Sequence, residues 1–458
     1  MNKNDIYQLR RNALAKQIYD KTGGGIAILS TAPEVMRNRD SDYPYRHDGD
    51  FFYLTGFEEP GATLVMNVTA NSNGFAAESH LFCRPKDPER EIWDGIRLGP
   101  EAAPKTLGIE FAHSNHDLDQ KLAELLANQN AVYLRLAESA ETDRRIRHWM
   151  KQVRAQARSG INPPTQFQDI EALIHEMRLF KDAHEIDIMR RAAAISARAH
   201  MRAMQICKPG MHEYQLEAEL LHEFRNSGAQ SVAYNSIVAG GANACILHYR
   251  AGSTELRGGE LCLIDAGCEL DGYASDITRT FPVNGKFSGP QRALYDITLA
   301  AQEAAIEATK PGNTFMQPHD AALKVLTQGL LDEKILKLAE VGSLENAIET
   351  GAYRRFYMHR TSHWLGMDVH DVGSYRESMT SSSDLQSEKP WRILKSGMVI
   401  TVEPGLYIRP SEDIDEAFWN IGIRIEDDVV LNNSGCELIS RGVPVKADEI
   451  EALMKNNY

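Results

Sequence analysis

Two aspartates, Asp265 and Asp276, stand eleven positions apart, each at the edge of an apolar run: Leu263-Ile264-Asp265-Ala266-Gly267 and Ser275-Asp276-Ile277-Thr278. Between them lies Asp271-Gly272, a dipeptide favoured in two-residue hairpin turns. Folding back at that turn makes the two carboxylates near cross-strand neighbours. Like charges at that range repel, and an apolar setting makes the repulsion costly unless something offsets it. A divalent cation would offset it. A surface hairpin whose aspartates are simply solvated would also relieve it, and the pair alone leaves both readings open.

Three further segments carry matching chemistry. Met358-His359-Arg360-Thr361-Ser362-His363-Trp364-Leu365-Gly366 runs on to His370-Asp371, with three histidines in twelve residues. Val399-Ile400-Thr401-Val402-Glu403-Pro404 ends an apolar strand on a glutamate just before a turn. Ile421-Gly422-Ile423-Arg424-Ile425-Glu426 alternates with period two, which sets Arg424 and Glu426 on one face and the isoleucines on the other. Four carboxylates and one imidazole from four segments suit manganese, iron, cobalt or zinc better than a thiolate site does. Four acidic groups exceed the needs of one ion, and a two-metal cluster is the natural count.

The ordered set Asp265, Asp276, His363, Glu403, Glu426 resembles the five-ligand signature of the pita-bread metallopeptidases. The words HYR, DAGCELDGYASDITRTFP, HRTSHWLGMDVHDVG, TVEPGLYI and GIRIEDD resemble aminopeptidase P, the Xaa-Pro aminopeptidases. The stretch APEVMRNRDSDYPYRHDGDFFYLTGFEEPGA is similar to the N-terminal domain of the same family, and the likeness spans nearly the whole chain. It implies an α/β N-terminal domain over residues 1–170 and an α+β pita-bread catalytic domain over 171–458.

The same resemblance implies a peptidase that releases the residue preceding a proline at position two of a peptide. Two divalent ions are implied, with Mn²⁺ the expected metal. Asp276 and Glu426 would bridge both ions, Asp265 would complete one, and His363 and Glu403 the other. A hydroxide shared by the metals would be the nucleophile, and Glu403 would also shuttle its proton. His248 and His370 would hold the substrate carbonyl, and His359 would shape the proline pocket. Arg424 would orient the ligand carboxylates, and Tyr407 would offer a hydroxyl to the pocket. Asp40, Trp93 and Arg158 match positions that contribute to substrate access, some of them across subunits of a tetramer. The neighbouring readings are a prolidase limited to Xaa-Pro dipeptides and a pita-bread protein that binds without catalysis. The DYPYR … DFFYLTGF stretch favours the aminopeptidase over the first, and the five filled ligand positions disfavour the second.

Composition bounds the function. The chain has 458 residues, enough for two domains, with 43% hydrophobic and 25% charged residues. A formal charge of −14 argues against a nucleic-acid partner, which needs basic patches to neutralise phosphate. The six cysteines show no Cys-x-x-Cys pair or short-spaced disulfide framework and read as buried small apolar residues. Reduced thiols, a start without a signal-peptide core and the lack of any long apolar run lead us to expect a cytoplasmic protein with no membrane partner.

The elements that must position these residues can be outlined from pattern. Gly25–Leu29 and Ala62–Val68 read as strands, and Lys121–Leu126 as helix, an α/β alternation. Ser159-Gly160-Ile161-Asn162-Pro163-Pro164 collects breakers and reads as a boundary. From Phe167 to Cys207 apolar residues recur at helical spacing, and Lys208-Pro209-Gly210 ends the run. Residues 374–391 form a polar, serine-containing insertion ahead of the Glu403 strand, expected at the surface.

Overall fold

Alternating apolar runs over the first third of the chain close into one six-stranded sheet. A computed structural model describes residues 3–377 and 389–455; most of the 374–391 insertion lies outside the described residues. The chain divides into two units, Met1–Met177 and Arg178–Tyr458. In the first, strands β1 (Gly25–Ser30), β2 (Thr63–Asn71), β3 (Gly74–Cys83), β4 (Phe111–Ser114), β5 (Ala131–Leu134) and β6 (Gln166–Asp169) take the order β4-β3-β2-β1-β5-β6. The β1–β2 and β2–β3 pairs are antiparallel, and the outer pairs are parallel. Ile26, Val65, Phe82 and Val132 of the sheet pack with Leu122, Trp149 and Val153 of the covering helices.

The second unit repeats an order of two helices followed by strands. Helices Ala183–Ile206 and Glu213–Asn226 precede β7 (Ser231–Val232), β8 (Ile237–Gly240), β9 (Leu261–Asp265), β10 (Cys268–Leu270), β11 (Tyr273–Ala274) and β12 (Thr278–Pro282). Helices Gly289–Ala308 and Gln317–Asp332 precede β13 (Val399–Val402), β14 (Gly405–Ile408), β15 (Ile421–Arg424), β16 (Asp427–Leu431) and β17 (Cys436–Leu438). One apolar core joins both sets, including Met204, Leu220, Ile264, Phe281, Leu326, Trp364, Ile400 and Ile423. Polar stitches also join them across the site. Glu426 N donates to Thr278 O at 3.1 Å, and Arg424 N donates to Thr280 Oγ1 at 3.2 Å.

The helix expected from Phe167 to Cys207 is not continuous. Phe167 lies in β6, one helix covers Glu171–Leu179, and the next begins at Ala183. The break has a local cause. The Asp182 carboxylate accepts hydrogen bonds from His184 N and Glu185 N, and Glu185 reaches back to Asp182 N, a capping box that starts a new helix. Lys181 N is also diverted to Gly397 O.

Candidate metal centre

The Asp271-Gly272 turn sets the register of the site. Both residues have positive φ, +48° and +80°, as a two-residue hairpin with this hand of turn requires. Leu270 pairs with Tyr273, and the same alignment farther out pairs Asp265 with Thr278. Asp276 is therefore not directly opposite Asp265 but diagonal to it, on the same face, opposite Gly267. A Cβ on Gly267 would overlap the Ser275 carbonyl, so only glycine permits this crossing. The Tyr234 hydroxyl joins the two aspartates: it lies 2.6 Å from Asp265 Oδ1 and also hydrogen-bonds Asp276 Oδ1.

The other segments converge on this pair. The His363 strand-like segment runs beside β13, with Thr401 N donating to His363 O at 3.1 Å and Glu403 N to Thr361 O at 2.8 Å. His363 Nε2 thereby comes within 3.5 Å of Asp276 Oδ2 and 3.4 Å of Glu403 Oε1. Glu426 follows β15, and its Oε2 accepts from the Thr278 hydroxyl at 2.6 Å. Single ligand atoms of Asp276, His363 and Glu426 all lie within 4.8 Å of one another. Asp265, Asp276, His363 and Glu426 are buried.

Such a cluster needs a cation. Burial and the neighbouring Asp265 hold the Asp276 carboxyl well above the ordinary aspartate range. Burial, then Asp276 and Glu403, do the same to Glu426. Burial pushes Glu403 up to about 7, although His363 and Arg424 act against it. His363 Nδ1 sits 2.9 Å from the Trp364 carbonyl, which can only accept, so the ring proton belongs on Nδ1. In the neutral ring the Nε2 lone pair then faces two carboxylates. A lone pair and several carboxylate oxygens converging on one buried space form the donor set of a divalent metal, and the residues fit one.

A hydrogen-bonded wall backs the cluster. Arg424 donates through Nη2 to Asp265 Oδ2 at 2.6 Å, through Nη1 to the Tyr407 hydroxyl at 2.9 Å and through Nε to Thr278 Oγ1 at 3.2 Å. His359 Nδ1 donates to Arg360 O at 2.8 Å, which leaves Nε2 to accept the Tyr407 hydroxyl proton at 2.8 Å. Burial and then Arg424 push His359 down to about 3, keeping it neutral. His370 stacks on His363 with ring centres 3.9 Å apart and planes at 9°. Burial and His363 bring His370 down to about 4.

A cavity of about 590 Å³ opens over the cluster, and His248, His359, His370, Glu403 and Arg424 line it. The structure thus brings together ten of the thirteen residues singled out in the sequence. Asp40, Trp93 and Arg158 belong to the other unit and are exposed there. Sequence reasoning missed Tyr234, Thr278 and Asp428, whose carboxylate accepts Asp276 N at 3.1 Å.

Residues 187–433 match the model of metallopeptidase family M24, and residues 7–133 match the aminopeptidase P N-terminal domain. The chain belongs to the aminopeptidase P branch of family M24. It is 44% identical to the Xaa-Pro aminopeptidase of Escherichia coli over 98% of this chain and 97% of that protein. The structure of Pseudomonas aeruginosa aminopeptidase PepP superposes with a TM-score of 0.93 at 46% identity, covering 100% of this chain and 99% of that one. Zinc-substituted E. coli aminopeptidase P in complex with product superposes at 0.92 and 44% identity, with the same coverage. The fold class and family expected from the sequence motifs are those found, and this M24 member is a peptidase with an α/β N-terminal domain.

Proposed function

We propose that the protein hydrolyses the bond between an N-terminal residue and a following proline, using two divalent ions, Mn²⁺ by preference. The observation that carries this reading is the buried convergence of Asp276, His363 and Glu426, flanked by Asp265 and Glu403, at the base of the cavity. Asp276 and Glu426 would be shared by the two ions, with Asp265 serving one and His363 and Glu403 the other. When bound, the ions supply Lewis acidity and a water of lowered pKa.

The chain's own residues supply the rest. Glu403, with a carboxyl held near neutrality, can take a proton and pass it towards the proline nitrogen as the bond breaks. That transfer matters because an Xaa-Pro amide has no N–H of its own. His248 and His370 at the cavity wall offer N–H donors to the substrate carbonyl. His359 and Tyr407, locked to each other, form a rigid side against which the proline ring can pack. Arg424 ties Asp265 and Tyr407 to one guanidinium. Asp40, Trp93 and Arg158 would act at substrate entry in a homo-oligomer, a tetramer by likeness to the family.

The test is mass-spectrometric cleavage with Mn²⁺ of Ala-Pro-Ala-Ala, Ala-Pro and Ala-Ala-Ala-Ala. Release of the first alanine from the longer proline peptide, with little action on the other two, is expected. Cleavage of the dipeptide alone would make the protein a prolidase, and no cleavage with any metal would leave a binding role.

A further inference from the structure

Two arginines on the cavity wall have no counter-charge among the described residues. Arg250 and Arg360 both line the cavity over the metal cluster and both are exposed, whereas the cluster beneath is buried. Among the described residues neither makes an ion pair. Arg424, the third arginine lining the cavity, does pair, with Asp265, as do Arg178, Arg190, Arg198, Arg279 and Arg355 elsewhere in the unit.

Neither arginine hangs on a loose backbone. Tyr249 and Gly252, on either side of Arg250, are tied to one buried carboxylate: Glu213 Oε2 accepts the Tyr249 hydroxyl at 2.8 Å and Gly252 N at 3.1 Å. The Arg360 carbonyl accepts His359 Nδ1, and its guanidinium lies 4.9 Å from the centre of the Trp391 ring. Both side chains thus extend from held backbone at exposed positions of the cavity wall, with donors suited to carboxylate binding.

We propose that Arg250 and Arg360 form a cationic rim that selects peptides bearing a carboxylate a few residues beyond the proline. This rests on the Xaa-Pro reading above. Charge sets the direction. The substrate's N-terminal ammonium is repelled by arginine and favoured near the acidic cluster, so the arginines meet the remainder of the chain as it leaves the cavity. The carboxylate can be an acidic side chain or a free C-terminus.

The experiment compares kcat/KM for Ala-Pro-Ala-Glu-Ala-amide and its Gln counterpart, and for Ala-Pro-Ala-Ala as free acid and as amide. The Glu pair tests a side chain and the acid–amide pair tests a C-terminus. For wild type, a preference of roughly three- to ten-fold for the charged member of at least one pair is expected, as suits partly exposed ion pairs. It should sit in KM and shrink as salt rises. The combined Arg250→Gln, Arg360→Gln variant should bring the ratio near one, and the Lys counterpart, which keeps the charge without the fork, should hold it above one. Each ratio is taken within one protein, so a general loss of activity cancels. Parity in wild type for both pairs, or a ratio unchanged in the Gln variant, overturns the rim while leaving the Xaa-Pro reading standing. No cleavage of any proline peptide overturns both.

Discussion

At the scale of residues, the site is an arrangement of negative charge awaiting compensation. Asp276 sits between Asp265, Glu426 and Glu403, with Arg424 the nearby cation. Asp276→Asn keeps the shape and removes one repulsion, so the metal-free variant is expected to melt no lower than metal-free wild type. Activity should vanish if, as proposed, Asp276 is a ligand shared by two ions. Wild type with Mn²⁺ at a hundred-fold its Kd gains about 2.7 kcal/mol, or roughly 3 °C in midpoint for a chain of this size. The variant should lose most of that rise in a calorimetric scan. A full Mn²⁺ shift with retained turnover would refute the cluster. The four acidic positions were legible in the sequence because each closes an apolar run or flanks a turn, where a charged residue breaks the local pattern, and His363 because three histidines fall within twelve residues. Tyr234 was not, since nothing beside it in Val232-Ala233-Tyr234-Asn235 marks it. Its hydroxyl meets the aspartates only because the chain returns 31 and 42 positions later.

At the scale of elements, two buried anions hold the segments that carry the cavity histidines. Asp371, next to His370, takes Arg178 Nη2 at 2.6 Å and Lys181 Nζ at 2.8 Å. Burial alone would raise its pKa, but Lys181 and then Arg178 outweigh it and the value falls below the usual 3.8. Its contribution is therefore complete above the ordinary aspartate range and drains away as pH falls through the lower folded value. Asp371→Asn should cost about 3–5 kcal/mol in urea unfolding at neutral pH, because it strands buried cations. The gap to wild type should close as acid protonates Asp371, and a gap constant with pH would count against the ion network. Glu213, fully buried, accepts Gly240 N, Asn243 Nδ2, Tyr249 OH and Gly252 N, which pins both ends of the His248 loop. Glu213→Ala orphans four donors and should cost about 3 kcal/mol, with KM rising more than kcat falls. An unchanged KM would show that the loop keeps its place without the clip. The strand ends that carry the candidate ligands followed from short apolar runs, and at Glu426 from period-two patterning. The break at Asp182 did not, because apolar residues continue across it at helical spacing and only the Asp182–Glu185 pair, a short polar signal, marks the new start.

At the scale of the whole molecule, no helix among the described residues is long and apolar enough to cross a membrane, and the exposed apolar surface of the first unit calls for another partner. Ile92, Trp93 and Ile96 are 80%, 84% and 80% exposed, three large apolar side chains within five residues. Single exposed apolar residues are common, but such a cluster rimmed by Glu91, Asp94 and Arg97 has the make-up of a contact surface. The sequence marked Trp93 through its family likeness and its polar surroundings; the exposure of its two isoleucine neighbours came only with the fold. If a second copy covers this patch and Trp93 reaches the neighbour's substrate, specific activity must depend on protein concentration. On dilution, wild type should lose activity over the same range in which sedimentation shows dissociation, and excess Mn²⁺ should not restore it. Trp93→Ala should move both transitions together to higher concentration, since truncating a central aromatic contact commonly costs about 2 kcal/mol, or roughly thirty-fold in Kd. Activity that stays constant while the particle falls to a monomer would place every group needed for turnover within one chain and leave Trp93 without a part in the reaction.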